Sequence, residues 1–278
     1  MILENVKQEK KYLHKIPRQL TKQQLDEYVL EYLILGKRGF AIQIPILAIL
    51  NAILYVINSG CQWYSIEGLK FDGYEVKYKT IYYHFNRWSK LGCFKKMFES
   101  SQLIPENINI LDSTYIESSL DNDDSAYSGY KHKNSTKFHC FSSLDNKILG
   151  LVNFSSGNFN DINDICAFEE FLVKIQPKSI ENKVYLLADS GYDCINFKLL
   201  CIKYNLIPII AINNRNRKEK LVMSENDKKT YKVRYCIEKL FAWLKSFRGI
   251  KIRYDIKAST WNAKLYLSSF LINMKNVF

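Results

Sequence analysis

Val184-Tyr-Leu-Leu-Ala188 is an almost unbroken apolar run that stops at Asp189. A strand with one wet face alternates apolar and polar side chains. A run without alternation is covered on both faces, as in the centre of a sheet flanked by helices. The neighbouring segments fit such a sheet. Ile108-Asn-Ile-Leu111 runs into Asp112, short strands at 137–143 and 147–154 flank the turn at Asp145-Asn146, and a strand follows at 206–212. Helical patterns occupy about 163–175 and 195–204. Strands alternating with helices predict an α/β domain over residues 105–278.

Residues 1–104 read differently. After a polar stretch over 1–20, a helical pattern runs from Thr21 to Leu35, with Thr21 as N-cap and Gln24 three residues on. A second helix spans 44–58, with Pro45 in its first turn and Gly60 just past its end. A third runs from about Val76 to Leu91, where Tyr78, Ile81, Tyr82, Phe85 and Trp88 form the apolar stripe and Lys77, Lys79 and Arg87 lie on other faces. Helices, a turn and exposed cations fit a small all-α, helix-turn-helix-like domain. An ordinary helical domain with a solvated basic face fits equally well.

The net charge of +12 is concentrated. Residues 1–100 hold 15 Lys/Arg against 9 Asp/Glu, and residues 214–257 hold 14 against 5. Two separated basic segments point to a long polyanion touched in two places, nucleic acid ahead of an anionic membrane. The amino terminus lacks the basic flank and apolar run of a secretion signal. The apolar stretch 44–57 is shorter than the roughly 20 residues that span a bilayer, which makes it a buried helix. Seven scattered cysteines without a C-x-x-C pair indicate reduced thiols in a cytoplasm, not a zinc site or a disulfide framework. His132 and His139 read as phosphate contacts or surface groups, ahead of metal ligands.

The segment Tyr231 to Lys245 predicts one helix. At about 100° per residue, Tyr231, Arg234, Glu238 and Lys245 share a wedge of about 60°, apart from the stripe of Val233, Ile237, Leu240, Phe241 and Leu244. A solvated charged flank is the alternative. Asp112 and Asp189 each close an apolar strand, and sites in open α/β sheets form at the carboxyl ends of strands. With Glu238 they make three carboxylates that coexist only around cations. Two Mg²⁺ ions, about 3.5–4 Å apart, suit phosphodiester attack by water or a 3′-hydroxyl, and Mn²⁺ would substitute.

On these residues the chain resembles a bacterial insertion-sequence transposase of the DDE type, of the insertion sequence four/five-like group. That group has an RNase H-like catalytic domain and a Tyr, Arg, Glu, Lys signature, whose spacing Tyr231, Arg234, Glu238 and Lys245 match. Leu111-Asp112-Ser-Thr114 resembles its first aspartate strand, and Leu187-Ala-Asp189-Ser-Gly-Tyr192 its second. Tyr127-Ser-Gly129 with Lys131-His-Lys133, and Gly157-Asn-Phe-Asn-Asp161, are also similar. Upstream, Gly60-Cys-Gln-Trp63 and Tyr82 to Trp88 resemble the amino-terminal DNA-binding region, except that Tyr64 stands where an Arg is usual.

The resemblance implies a mixed central sheet flanked by helices, with Asp112, Asp189 and Glu238 binding two catalytic metals. It implies that Tyr231, Arg234 and Lys245 contact element-end DNA. Lys77, Lys79, Arg87, Lys131, Lys251 and Arg253 complete the expected DNA contacts. The implied function is transposition: cleavage at terminal inverted repeats of double-stranded DNA and strand transfer to a target, by a homodimer or higher oligomer, in the bacterial cytoplasm at the nucleoid. A nuclease of the same fold that only hydrolyses, and a non-catalytic DNA-binding regulator, are the rivals. The acids at 121, 123 and 124 read as a solvated loop.

Overall fold

The computed structural model describes residues 16–36, 43–102, 107–119, 122–123, 125–129, 132–157, 165–177, 183–215 and 217–278. The chain forms two compact units, one of Met1–Ser101 with Trp243–Phe278 and the other of Gln102–Ala242.

In the first unit, α1 (Lys22–Tyr28) starts at a full capping box, Thr21 Oγ1 accepting from Gln24 N while the Gln24 side chain accepts from Thr21 N. The long helix α2 (Ile46–Ser59) begins after Pro45 and ends at Gly60, whose φ of 69° is left-handed. Gly60 is needed twice, because a Cβ there would also lie 2.9 Å from the Arg248 Cβ. A hairpin of β1 (Lys70–Phe71) and β2 (Tyr74–Glu75) leads to α3 (Tyr78–Lys90), and Leu91-Gly92 joins it to α4 (Cys93–Ser100). The buried face of α3 is Ile81, His84, Phe85 and Trp88. His84 takes the inner place expected of Tyr82, which is exposed.

The carboxy terminus completes this unit. The helix α10 (Ala258–Met274) packs along α3 and α4, burying Trp261, Leu265, Phe270 and Leu271, and Asn273 donates to Ser101 Oγ at 3.2 Å. Residues 243–278 therefore pack with the amino-terminal helices, although strand and helix alternation assigns them to the α/β half. Periodicity shows that a helix is buried, not which helices bury it.

The second unit holds a mixed sheet. Its strands are β3 (Ile108–Ser118), β4 (Ala126–Ser128), β5 (Lys133–Ser143), β6 (Ile148–Ser156), β7 (Val184–Ala188) and β8 (Leu206–Ile210), in the order β6-β5-β3-β7-β8. β4 pairs with the first residues of β5. The first three long strands run antiparallel; β7 and β8 are parallel to β3. Asn146, at φ 58°, supplies the left-handed turn between β5 and β6.

Helices α5 (Ile165–Ile175) and α6 (Ile195–Lys203) follow β6 and β7, and pack Phe168, Phe171, Leu172, Phe197 and Cys201 against Leu111, Phe141, Leu186 and Ala188. After β8 the chain forms α7 (Glu225–Tyr231), a 3-10 turn (Lys232–Tyr235) and α8 (Cys236–Ser246), and the one-turn α9 (Arg248–Lys251) of the first unit follows. Phe241 of α8 meets Phe138 of β5 edge to face. Strand order, the central apolar strand β7 and helices on the sheet make this the RNase H-like α/β domain expected from the sequence, preceded by a helical region. Among the described residues no helix is long and apolar enough to cross a membrane.

Candidate active site

Side chains alternate across a strand, so Asp112 points away from the cluster that takes Leu111. Parallel pairing of β3 with β7 ends at Leu111 opposite Ala188. Asp112 and Asp189 are thus the next residues of neighbouring strands, both turned from that cluster. Their places in the strands differ. β7 ends before Asp189, but β3 continues to Ser118, because Ser113 to Glu117 keep pairing with β5 after β7 has stopped. Asp112 is therefore a mid-strand residue, not the strand end that its apolar approach predicts.

Asp112 is 7% exposed and its carboxylate is held on both oxygens. Ser113 N donates to Oδ1 at 2.8 Å, and Arg234 Nη1 donates to Oδ2 at 2.5 Å. Burial pushes its pKa up to about 6; the Arg234 charge opposes that rise and the Asp189 carboxylate adds to it. Asp189 is half-buried and caps the short turn Ser190–Tyr192, accepting from Gly191 N at 2.8 Å. The Arg234 guanidinium lies 5.6 Å from the centre of the Tyr231 ring. Burial alone would lower the Arg234 pKa, but Asp112, the Tyr231 phenol and Asp189 together raise it. Burial raises the Tyr231 phenol. Asp112, Asp189, Tyr231 and Arg234 therefore form one electrostatic group.

Glu238 stands apart. It is exposed, on the first turn of α8. The expected single helix from Tyr231 to Lys245 is interrupted by the 3-10 turn, which winds about 120° per residue in place of about 100°. Over its four residues the turn carries Glu238 and Lys245 about 80° further round relative to Tyr231, so the four side chains still span about 60°, with Tyr231 and Arg234 at one edge and Glu238 at the other. Lys245, half-buried in the last turn of α8, belongs to the other compact unit.

The remaining expected contacts also lie in the amino-terminal unit, apart from Lys131, which is outside the described residues. Lys77 and Lys79, at the start of α3, are exposed, and Arg87 in its last turn is half-buried. Lys251 is exposed. Arg253 is not a surface cation: it is fully buried, Nε donates to Asp255 O at 3.1 Å, and the guanidinium lies 5.4 Å from the Trp261 ring centre. Those partners satisfy a charge that the basic run 251–257 made look solvent-facing. His139, expected as a phosphate contact or surface group, is also fully buried and shares a 2.7 Å hydrogen bond with the Tyr192 hydroxyl. That bond ties the turn after Asp189 to β5. The signal for it was the place of His139 on β5, two residues before Phe141 and so on the same covered face.

Asp112 and Asp189 offer hard oxygen donors, which fit one Mg²⁺ holding its remaining waters. Among the described residues no group of three or more His, Cys, Asp or Glu converges on a metal position, so Glu238 does not complete a second ligand set here.

Residues 111–273 match the family model described as DDE superfamily endonuclease. Residues 30–98 match the DUF4096 model of IS4/5-family transposases. Searches of curated proteins and of solved structures return no match. With more than half of its 278 residues matched to that endonuclease model, and its amino-terminal helices to the transposase model, the chain belongs to the DDE superfamily as an IS4/5-like transposase.

Proposed function

We propose that the protein cuts insertion-element DNA at terminal inverted repeats and joins the ends to a target by two-metal phosphodiester chemistry. The observation that carries this reading is the pair of carboxylates on adjacent parallel strands, Asp112 and Asp189, with Arg234 set against them. DNA binding alone needs no converging carboxylates. When bound, divalent ions activate the attacking water or 3′-hydroxyl and stabilise the leaving oxygen.

In this reading the chain's own groups do the following. Asp112, Asp189 and Glu238 would hold the ions, with Glu238, exposed on the first turn of α8, turning toward them when metal and DNA bind. Tyr231, Arg234 and Lys245 grip the phosphates of the element end, so Arg234 exchanges Asp112 for DNA as the complex forms. Lys77, Lys79 and Arg87 of α3, with Lys251, hold the flanking duplex. Two copies or more bring two ends together, on the bacterial nucleoid in the cytoplasm.

The test is an end-cleavage and strand-transfer assay on a duplex carrying the element's own terminal repeat, with Mg²⁺, with Mn²⁺ and with chelator. Metal-dependent cutting followed by joining is expected. Cutting without joining would leave a nuclease of the same fold, and cutting in chelator would remove the metal mechanism.

A further inference from the structure

Asp193 lies four residues beyond Asp189, and its carboxylate is only 1% exposed. Three donors surround it: Lys198 Nζ at 2.5 Å on Oδ1, and Asn213 N and Arg217 Nη2, each at 2.8 Å, on Oδ2. Burial opposes the charge, but Lys198, the Asn213 amide and Arg217 hold the pKa below its usual value. Two of these donors come from the loop that leaves β8. That loop is closed on itself, because the Asn214 side chain donates to Leu221 O and accepts from Leu221 N, both at 3.1 Å, as a paired strand would. Arg217 Nε also donates to Asn213 O at 3.0 Å. Between these fastenings Arg215, Lys218 and Lys220 are exposed, against one acid, Glu219.

The position of this loop follows from the sheet. Ala188 pairs with Ile210 across β7 and β8, so the chain leaves β8 beside Asp189. We infer that residues 213–215 and 217–221 form a basic arm, fixed by Asp193, that binds the phosphate backbone of duplex DNA alongside the cleavage centre, with Arg215, Lys218 and Lys220 as its contacts. Asp193 is a positioning residue, because it touches no substrate and fixes where those cations stand. A buried carboxylate with three donors is more than a solvated lysine run needs; free cations would require no anchor. The arm rests on the DNA reading above and assigns it a surface in the catalytic unit.

The test measures binding of the full chain to a labelled duplex of arbitrary sequence, in chelator, over a range of salt concentrations. Removing one cation that neutralises a phosphate lowers the slope of log K against log salt by about 0.9. The triple variant Arg215→Ala, Lys218→Ala, Lys220→Ala is expected to lower the slope by about two to three in magnitude. Its side chains are exposed and outside the clamp, so folding is preserved. Asp193→Asn is expected to lower the slope in the same direction and to speed tryptic cutting between residues 215 and 220 several-fold. An unchanged slope in the triple variant overturns the arm. A lower slope there with wild-type slope and tryptic rate in Asp193→Asn overturns the anchoring role. No duplex binding by the wild type at low salt would remove the DNA reading itself, and the arm with it.

Discussion

Arg234 reaches Asp112 across 122 residues of sequence and donates to one oxygen of a carboxylate that burial would otherwise leave largely protonated. The pair sets the charge state of the site. Asp112 has a folded pKa of about 6 against an ordinary value of 3.8, so the folded chain holds a proton that the unfolded chain has released across that window. Stability from this group is complete below about pH 4 and is lost as pH rises through 6, by about 3 kcal/mol in all. In metal-free protein, Asp112→Asn is expected to remove this pH dependence and to raise the free energy of unfolding at pH 7. Denaturant titrations at pH 5 and pH 7 on both proteins check it. An equal pH response in the two would show that Asp112 is not the titrating group.

Arg234→Ala removes the cation that lowers the Asp112 pKa, while Asp189→Asn removes the anion that raises it. Carboxyl carbon NMR titration of Asp112 in the metal-free protein is expected to move up in the first variant and down in the second. Shifts of the same sign would contradict the arrangement.

Asp112→Ala, Asp189→Ala and Glu238→Ala are each expected to abolish end cleavage and to leave duplex binding within a few-fold of wild type. Glu238 is the most demanding of the three, because it is exposed here and lies outside the electrostatic group. A fully active Glu238→Ala protein would confine the metal chemistry to the two aspartates.

Deleting a charge-assisted hydrogen bond to a phosphate costs about 1.5–3 kcal/mol. Arg234→Ala and Lys245→Ala should therefore slow cleavage of a pre-nicked end by tens- to hundreds-fold. Lys174→Ala, an exposed residue of α5 on the opposite face of the sheet, is the control and is expected to change little. Equal impairment in all three would reduce the signature to general basicity.

Tyr192→Phe removes the hydroxyl that partners buried His139. The expected loss of stability is about 1–3 kcal/mol. Cleavage should also fall, because the turn capped by Asp189 loses its tie to β5. Urea unfolding and end cleavage measured together check both effects, and an unchanged protein in both assays would make the bond incidental.

The arrangement of β3, β7 and their two aspartates was legible because uninterrupted apolar runs mark covered strands, and neighbouring parallel strands deliver their next residues side by side. The break between α7 and α8 was not. Lys232-Val-Arg-Tyr235 contains neither Gly nor Pro, and nothing in side-chain type separates a 3-10 turn from another turn of α-helix. Arg253 misled for a related reason. In Lys251-Ile-Arg-Tyr-Asp255 its charge implies solvent, whereas the carbonyls and the indole face that receive it come from residues folded back over it. Asp193 was missed because its donors lie up to 24 residues away, where no local pattern reaches.

The place of α10 has a consequence for synthesis. A ribosome delivers α1 to α4 well before Ala258–Met274, so the amino-terminal helices wait through the whole α/β segment for the helix that covers them. A message cut short before Trp243 yields no free-standing amino-terminal unit that could occupy DNA in competition with the intact protein. It yields a chain with an uncovered apolar face, a substrate for chaperones and proteases. Only a product that extends through α10 can assemble this unit.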